Sequence, residues 1–117
     1  MPILSNILKR SIPSGEFELS QNQPNPFTKT TTIKYSVPRK AKVMIMINNI
    51  NGQIIDKLIL KDQQAGEYEL EFYADGLRSG TYFYHVITGD FYEYREMELN
   101  KIKKPADRVT NKEGRNC

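Results

Sequence analysis

The chain has 117 residues, 38% hydrophobic and 26% charged, a composition that suits one globular domain with tails and excludes a wholly disordered chain. No apolar run approaches the ~20 residues that cross a bilayer, and Met1 to Arg10 has neither the basic region nor the unbroken apolar stretch of a signal peptide. The formal charge of +3 is unevenly placed: residues 16–100 hold nine bases against twelve acids, a net of −3, so the positive excess lies in the tails. Residues 1–15 read as a flexible N-terminal segment and 16–101 as the folded domain. Residues 102–117 read as a basic, disordered tail. No aromatic interleaves the charges of that tail, so it reads as solvated and not as a nucleic-acid contact. With no signal peptide of its own, the chain reads either as cytoplasmic or as a piece of a longer secreted precursor, and the second reading is preferred.

Phe17 to Ser20 is a first short strand. Gln21-Asn22-Gln23-Pro24-Asn25-Pro26-Phe27 follows. Two prolines there fix two φ angles and remove two N–H donors, and Gln23 and Asn25 are pushed toward extended backbone. This lead-in is neither helix nor central strand. Thr31, Ile33, Tyr35 and Val37 then alternate with Thr32, Lys34 and Ser36, the period of a half-buried strand. Val43, Ile45 and Ile47 make the next inner face. Met44 and Met46 on the reverse face suggest cover on both sides or a partner. Asn51-Gly52 is a turn signal, because both residues tolerate positive φ.

Gln53 to Leu60 reads as a third long strand. Its apolar parity slips between Ile55 and Leu58, which predicts a bulge. Asp62 to Gly66 reads as a loop. Tyr68, Leu70 and Phe72 alternate with Glu67, Glu69 and Glu71. Thr81 to Thr88 and Phe91 to Leu99 form a hairpin around Gly89-Asp90. A two-residue loop pairs Tyr82 with Met97 and Tyr84 with Arg95. It also puts Glu93 and Arg95 on the face of Met97 and Leu99, so a bulge or an exposed sheet end is expected there. Seven short strands without a helix predict an all-β fold, a seven-stranded antiparallel Ig-like β-sandwich.

Chemistry-bearing patterns are sparse. His85 is the only histidine and Cys117 the only cysteine. Neither has the neighbours a metal or a nucleophile needs, and no metal or other cofactor is expected. Glu67, Glu69 and Glu71 share a strand face, and Glu93, Glu96 and Glu98 farther on are read in the same way. Solvated faces explain this better than a calcium site or a glycosidase pair. No serine elbow and no phosphate loop occur. The aromatics Tyr82, Phe83, Tyr84, Phe91, Tyr92 and Tyr94 read as core on one face and cross-strand pairs on the other. A sugar-stacking platform would need two exposed, coplanar rings among them.

Taken in order, the landmarks are Glu18-Leu19-Ser20-Gln21-Asn22-Gln23-Pro24-Asn25-Pro26-Phe27, Thr32-Ile33-Lys34-Tyr35, Val43 to Ile47 leading into Asn51-Gly52-Gln53, and Ala65-Gly66-Glu67-Tyr68. Gly76 to Tyr84 and Met97-Glu98-Leu99-Asn100-Lys101 complete the series. Together they resemble the type A C-terminal sorting domain of the type IX secretion system. That family is similar in turn to the Ig-like domain of the flagellar hook-capping protein. The resemblance covers about residues 16–101. It implies a non-enzymatic address at the end of a cargo protein of Bacteroidetes-like bacteria, with the N-terminal cargo absent from this chain. The domain would fold in the periplasm and reach the cell surface. Its partners would be the outer-membrane translocon and a sortase-like peptidase, with no nucleic acid and no membrane span. Matching positions point to Gly80, Tyr82, Met97, Leu99 and Lys101 for recognition. Pro24, Asn25, Pro26, Phe27, Gly52, Gly66 and Tyr68 match as structural landmarks, with Phe27 and Leu77 expected to plug the ends of the sandwich. Two positions depart from the family pattern: Glu96 stands where a lysine is common, and the chain runs sixteen residues beyond Lys101. Two other readings of the same strands are a self-associating Ig-like assembly module and a carbohydrate-binding module on the last hairpin.

Overall fold

The computed structural model describes residues 15–101, and residues 4–9 as backbone. The strands are β1 (Leu4–Lys9), β2 (Glu18–Leu19), β3 (Thr30–Val37), β4 (Ala41–Asn49), β5 (Ile54–Gln63), β6 (Gly66–Tyr73), β7 (Gly80–Ile87) and β8 (Tyr92–Leu99). They form two antiparallel sheets, in the orders β1-β6-β3-β2 and β5-β4-β7-β8. The seven expected strands are β2 to β8, and the described residues contain no helix. The expected antiparallel sandwich is therefore present.

Alternation decides which side chains face inward. Ile33, Leu70, Phe72, Val43, Ile45 and Ile47 are all 0–1% exposed, and together they join the two sheets. The chain changes sheet three times, between β3 and β4, β5 and β6, and β6 and β7. The last two crossings share one device. A glycine opens the strand, a tyrosine two residues on faces the core, and its hydroxyl donates to the backbone carbonyl four residues upstream. Tyr68 reaches Gln64 at 2.7 Å and Tyr82 reaches Arg78 at 2.8 Å. The geometry resembles the tyrosine corner of immunoglobulin-like sandwiches.

The slipped parity of β5 is a bulge at Ile55: Ile47 pairs with Asp56, but Asn48 pairs with Ile54. A second shift, between the pairs Ala41–Gln63 and Val43–Leu60, was not expected. It extends β5 through Gln63, a residue read from sequence as loop. The extra residue turns Gln63 inward, where its Oε1 accepts the Tyr35 hydroxyl at 2.7 Å. Tyr35 also stacks on Tyr68 at 5.4 Å. Burial pushes the Tyr35 hydroxyl far above the usual phenol range.

The N-terminal stretch differs from expectation. Leu4–Lys9 is an eighth strand, paired with β6 at a sheet edge, where a flexible segment was read. The tail 102–117 lies outside the described residues.

Candidate functional site

The lead-in and the last strand are one structure. Phe27 is 1% exposed and meets Phe72 edge-on at 6.0 Å, so it closes one end of the core. Leu77, the other expected plug, is half-buried against the same core. The Phe27 backbone forms a parallel bridge with Leu99: its N–H donates to Glu98 O at 3.0 Å, and its carbonyl accepts Asn100 N–H at 2.8 Å. Asn25 Oδ1 accepts the Glu98 N–H at 2.9 Å, and Gln21 Nε2 donates to Glu96 O at 2.7 Å. Proline offers no N–H, so this segment cannot continue as a strand of the ladder. It supplies isolated donors and acceptors to β8 instead.

Asn22 holds the lead-in itself. It is 1% exposed, and its Nδ2 donates to Thr31 Oγ1 and to Pro24 O. Thr31 Oγ1 donates to the same Pro24 carbonyl at 2.9 Å. Sequence reasoning passed over Asn22 as a structural residue. The available signal was a short polar side chain just ahead of a proline whose carbonyl needs donors.

The final hairpin keeps the predicted register, Tyr82 with Met97 and Tyr84 with Arg95. No bulge occurs, and the exposed sheet end is the outcome. Glu93 and Arg95 face inward where the opposing sheet ends in the two-residue β2, and they pair at 3.2 Å. Arg95 Nε also donates to Leu19 O at 3.0 Å. An inward charged pair on an edge strand disfavours addition of another strand. The β8 edge is thus covered by the lead-in along its second half and guarded by charge along its first. Tyr84 donates to Ser20 O at 2.6 Å, and burial pushes its hydroxyl up to about 12.

The five positions expected to serve recognition are brought together. Gly80 pairs with Leu99, Tyr82 pairs with Met97, and Lys101 follows, its N–H donating to Ser79 Oγ at 2.9 Å. Their exposure divides them. Tyr82, Met97 and Leu99 are 6%, 0% and 1% exposed, whereas Lys101 is exposed beside a cleft of about 290 Å³ shared with Thr28, Lys29 and Asp75. Gly80 has φ of +150°, a conformation that side chains rarely adopt.

A matching family profile, that of the secretion system C-terminal sorting domain, covers residues 23–96. The chain belongs to this family. A search of curated proteins returns no match. The matched stretch of the sorting domain begins one residue before Pro24 and ends one residue before Met97. It takes in the lead-in from Gln23 onward, Gly52, Gly66, Tyr68, Gly80 and Tyr82. Met97, Leu99 and Lys101 lie beyond it.

The remaining candidates separate. Among the described residues, no group of three or more His, Cys, Asp or Glu is placed to hold a metal ion. The carboxylates of β6 are half-buried; Glu69 approaches Lys34 at 3.7 Å and Glu71 accepts the Tyr73 hydroxyl at 2.6 Å. His85 sits between Asn48 Oδ1, at Nε2, and the Tyr92 hydroxyl, at Nδ1. With Nε2–H donating to Asn48, Nδ1 accepts from Tyr92, the neutral tautomer. Burial holds the imidazole below its usual range. Phe91 leaves the hairpin surface to stack on Phe17 at 5.1 Å. Tyr92 and Tyr94 do not scatter: they are 57% and 53% exposed, and their rings lie within 28° of parallel.

Proposed function

We propose that this domain is the address of an exported precursor, which the type IX machinery carries across the outer membrane to the cell surface. The observation that carries this reading is the family match over residues 23–96, most of the folded body. On this reading the domain catalyses nothing. An outer-membrane translocon recognises it, and a sortase-like peptidase removes it from the cargo that precedes it.

The geometry supports a division of labour at the recognition end. The buried side chains of Tyr82, Met97 and Leu99 are unavailable to a partner while the domain is folded. Their role is to hold β8 against β7. The partner would read what that register presents at the surface: Lys101, Asn100 and the exposed side of Glu98. The lead-in acts at the same place, since Asn25 and Phe27 bind the backbone of Glu98 and Asn100.

Fusions of a signal peptide and a reporter to residues 1–117 and to residues 1–101, expressed in a type IX-competent host, test the proposal. Reporter at the surface or in the medium from either fusion supports it, provided that deleting a translocon component abolishes export. Reporter trapped in the periplasm with both fusions refutes it. Export of the shorter fusion alone assigns a masking role to residues 102–117.

A further inference from the structure

We propose that the outer face of the β5-β4-β7-β8 sheet is a self-association surface, occupied by a second copy of this chain packed face to face. The strand register lays the face out in rows. Ile59, Met44, Ile87 and Tyr92 lie abreast in one row, and Lys57, Met46, His85 and Tyr94 lie abreast in the next. Ile59 is 47% exposed, Tyr92 57% and Tyr94 53%. Large exposed apolar side chains scattered singly need no explanation, whereas a contiguous set marks an interaction surface. An open cleft of about 330 Å³ runs between Met44, Ile59 and Ile87. Methionine on the central strand β4 and tyrosine on β8 are residue types enriched at protein interfaces.

Charge selects the occupant. Exposed Lys57 and Lys61 stand on the edge strand β5, and exposed Glu96 and Glu98 stand on the opposite edge strand β8. A two-fold axis parallel to the strands, lying between two such faces, sets β5 of each copy over β8 of the other. Ile59 then meets Tyr92 twice, and Lys57 reaches the Tyr94–Glu96 stretch twice. An axis across the strands would instead set lysine against lysine. One face carrying both signs on opposite flanks is complementary to itself, as an isologous contact requires.

A saccharide would also stack on Tyr92 and Tyr94. The His85 ring nitrogens and the Tyr92 hydroxyl are already engaged, however, in the Asn48–His85–Tyr92 chain. The Ile59, Met44 and Ile87 half of the patch is apolar, with polar groups only at its end, at Lys42 and Thr88. The inference does not depend on the sorting role.

Four strands of this length make a face about 20 Å by about 25 Å. That area is small for a stable interface, so association is expected in the micromolar range or weaker. Sedimentation equilibrium of the full chain between about 10 μM and about 500 μM should show a reversible monomer–dimer equilibrium. Ile59→Asp and Tyr94→Ala should each weaken the dimer about tenfold, with thermal midpoint and circular dichroism near those of the parent. Lys57→Glu or Glu96→Lys alone should weaken it several-fold at low salt, and the two together should restore it. A monomer throughout the range would overturn the proposal, as would a dimer indifferent to both Ile59→Asp and Tyr94→Ala. Failure of the double charge reversal to restore association would overturn the two-fold arrangement. A monomer that binds a soluble neutral glucan through Tyr92 and Tyr94 would replace the proposal with a saccharide site.

Discussion

Asn25 Oδ1 accepts the backbone N–H of Glu98 at 2.9 Å, a contact that links the proline-rich lead-in to the last strand across most of the sequence. The residue between the two prolines thereby does what a neighbouring strand would have done for β8. Asn25→Ala removes the acceptor and leaves the Glu98 N–H to water. The bond is solvent-accessible, so the loss in global stability is expected to be at most about 1 kcal/mol. The larger effect is local. Amide exchange at Glu98 should accelerate, while the Ile45 and Leu70 amides in the central strands stay protected. Exchange followed by NMR checks this, and equal acceleration at all these sites would show that the contact has no local role.

The Gly-x-Tyr devices at the start of β6 and of β7 can be tested as a pair. Tyr68→Phe and Tyr82→Phe keep the ring in the core and delete the hydroxyl that reaches the Gln64 or Arg78 carbonyl. Each substitution should cost about 1 kcal/mol in urea unfolding, the net worth of one such bond. The denaturant slope should not change, because the buried area is preserved. Phenylalanine at either site that leaves stability unaltered would mean that ring packing alone fixes the corner.

His85 gives the domain a pH dependence whose sign follows from its environment. Burial lowers its pKa in the folded state below the ordinary 6.5, so the unfolded chain binds the proton more readily. The contribution to stability is complete above about 6.5 and declines as pH falls through that value toward the lower folded pKa. Denaturation at pH 7.5 and pH 5.5 should show the parent less stable at the lower pH. His85→Gln retains a side chain able to bond Asn48 and cannot take up a proton, so it should flatten that part of the profile. An unchanged slope in the variant would assign the pH dependence to the carboxylates.

Most of the fold was legible because period-two alternation and glycine-marked turns coincide from Thr30 to Leu99. The pairs Tyr82–Met97 and Tyr84–Arg95 follow from the length of the Gly89-Asp90 loop alone. Two features were hidden for physical reasons. Gln63 reads as loop because a second irregularity in β5 changes the parity that would have placed it inside. Leu4–Lys9 shows no alternation, and its partner β6 lies far along the chain, so local pattern carries no trace of the pairing. The candidate site was legible as a list of residues and illegible as a surface. Nothing local says that Met97 and Leu99 are buried while Lys101 is open, or that Tyr92 and Tyr94 share the outer face with His85. Burial is a property of the opposing sheet, which the sequence of one hairpin does not contain.

Gly80 separates a backbone role from a contact role at the end proposed for recognition. A methyl group built there meets nothing within 4 Å, so Gly80→Ala creates no clash. The φ of +150° is nonetheless one that alanine resists, and the residue pairs with Leu99 at the start of β7. Gly80→Ala should therefore destabilise the domain by roughly 1–3 kcal/mol through the backbone alone. Lys101→Ala, two residues beyond Leu99 and exposed, should leave the unfolding midpoint unchanged. Comparing both variants in the export assay separates the two roles. If the partner reads the exposed end of β8, Lys101→Ala lowers export without altering stability, whereas Gly80→Ala lowers export in proportion to the unfolded fraction. A stable Gly80→Ala domain that is not exported would instead mean that the partner approaches the glycine backbone itself, where open space leaves room for it.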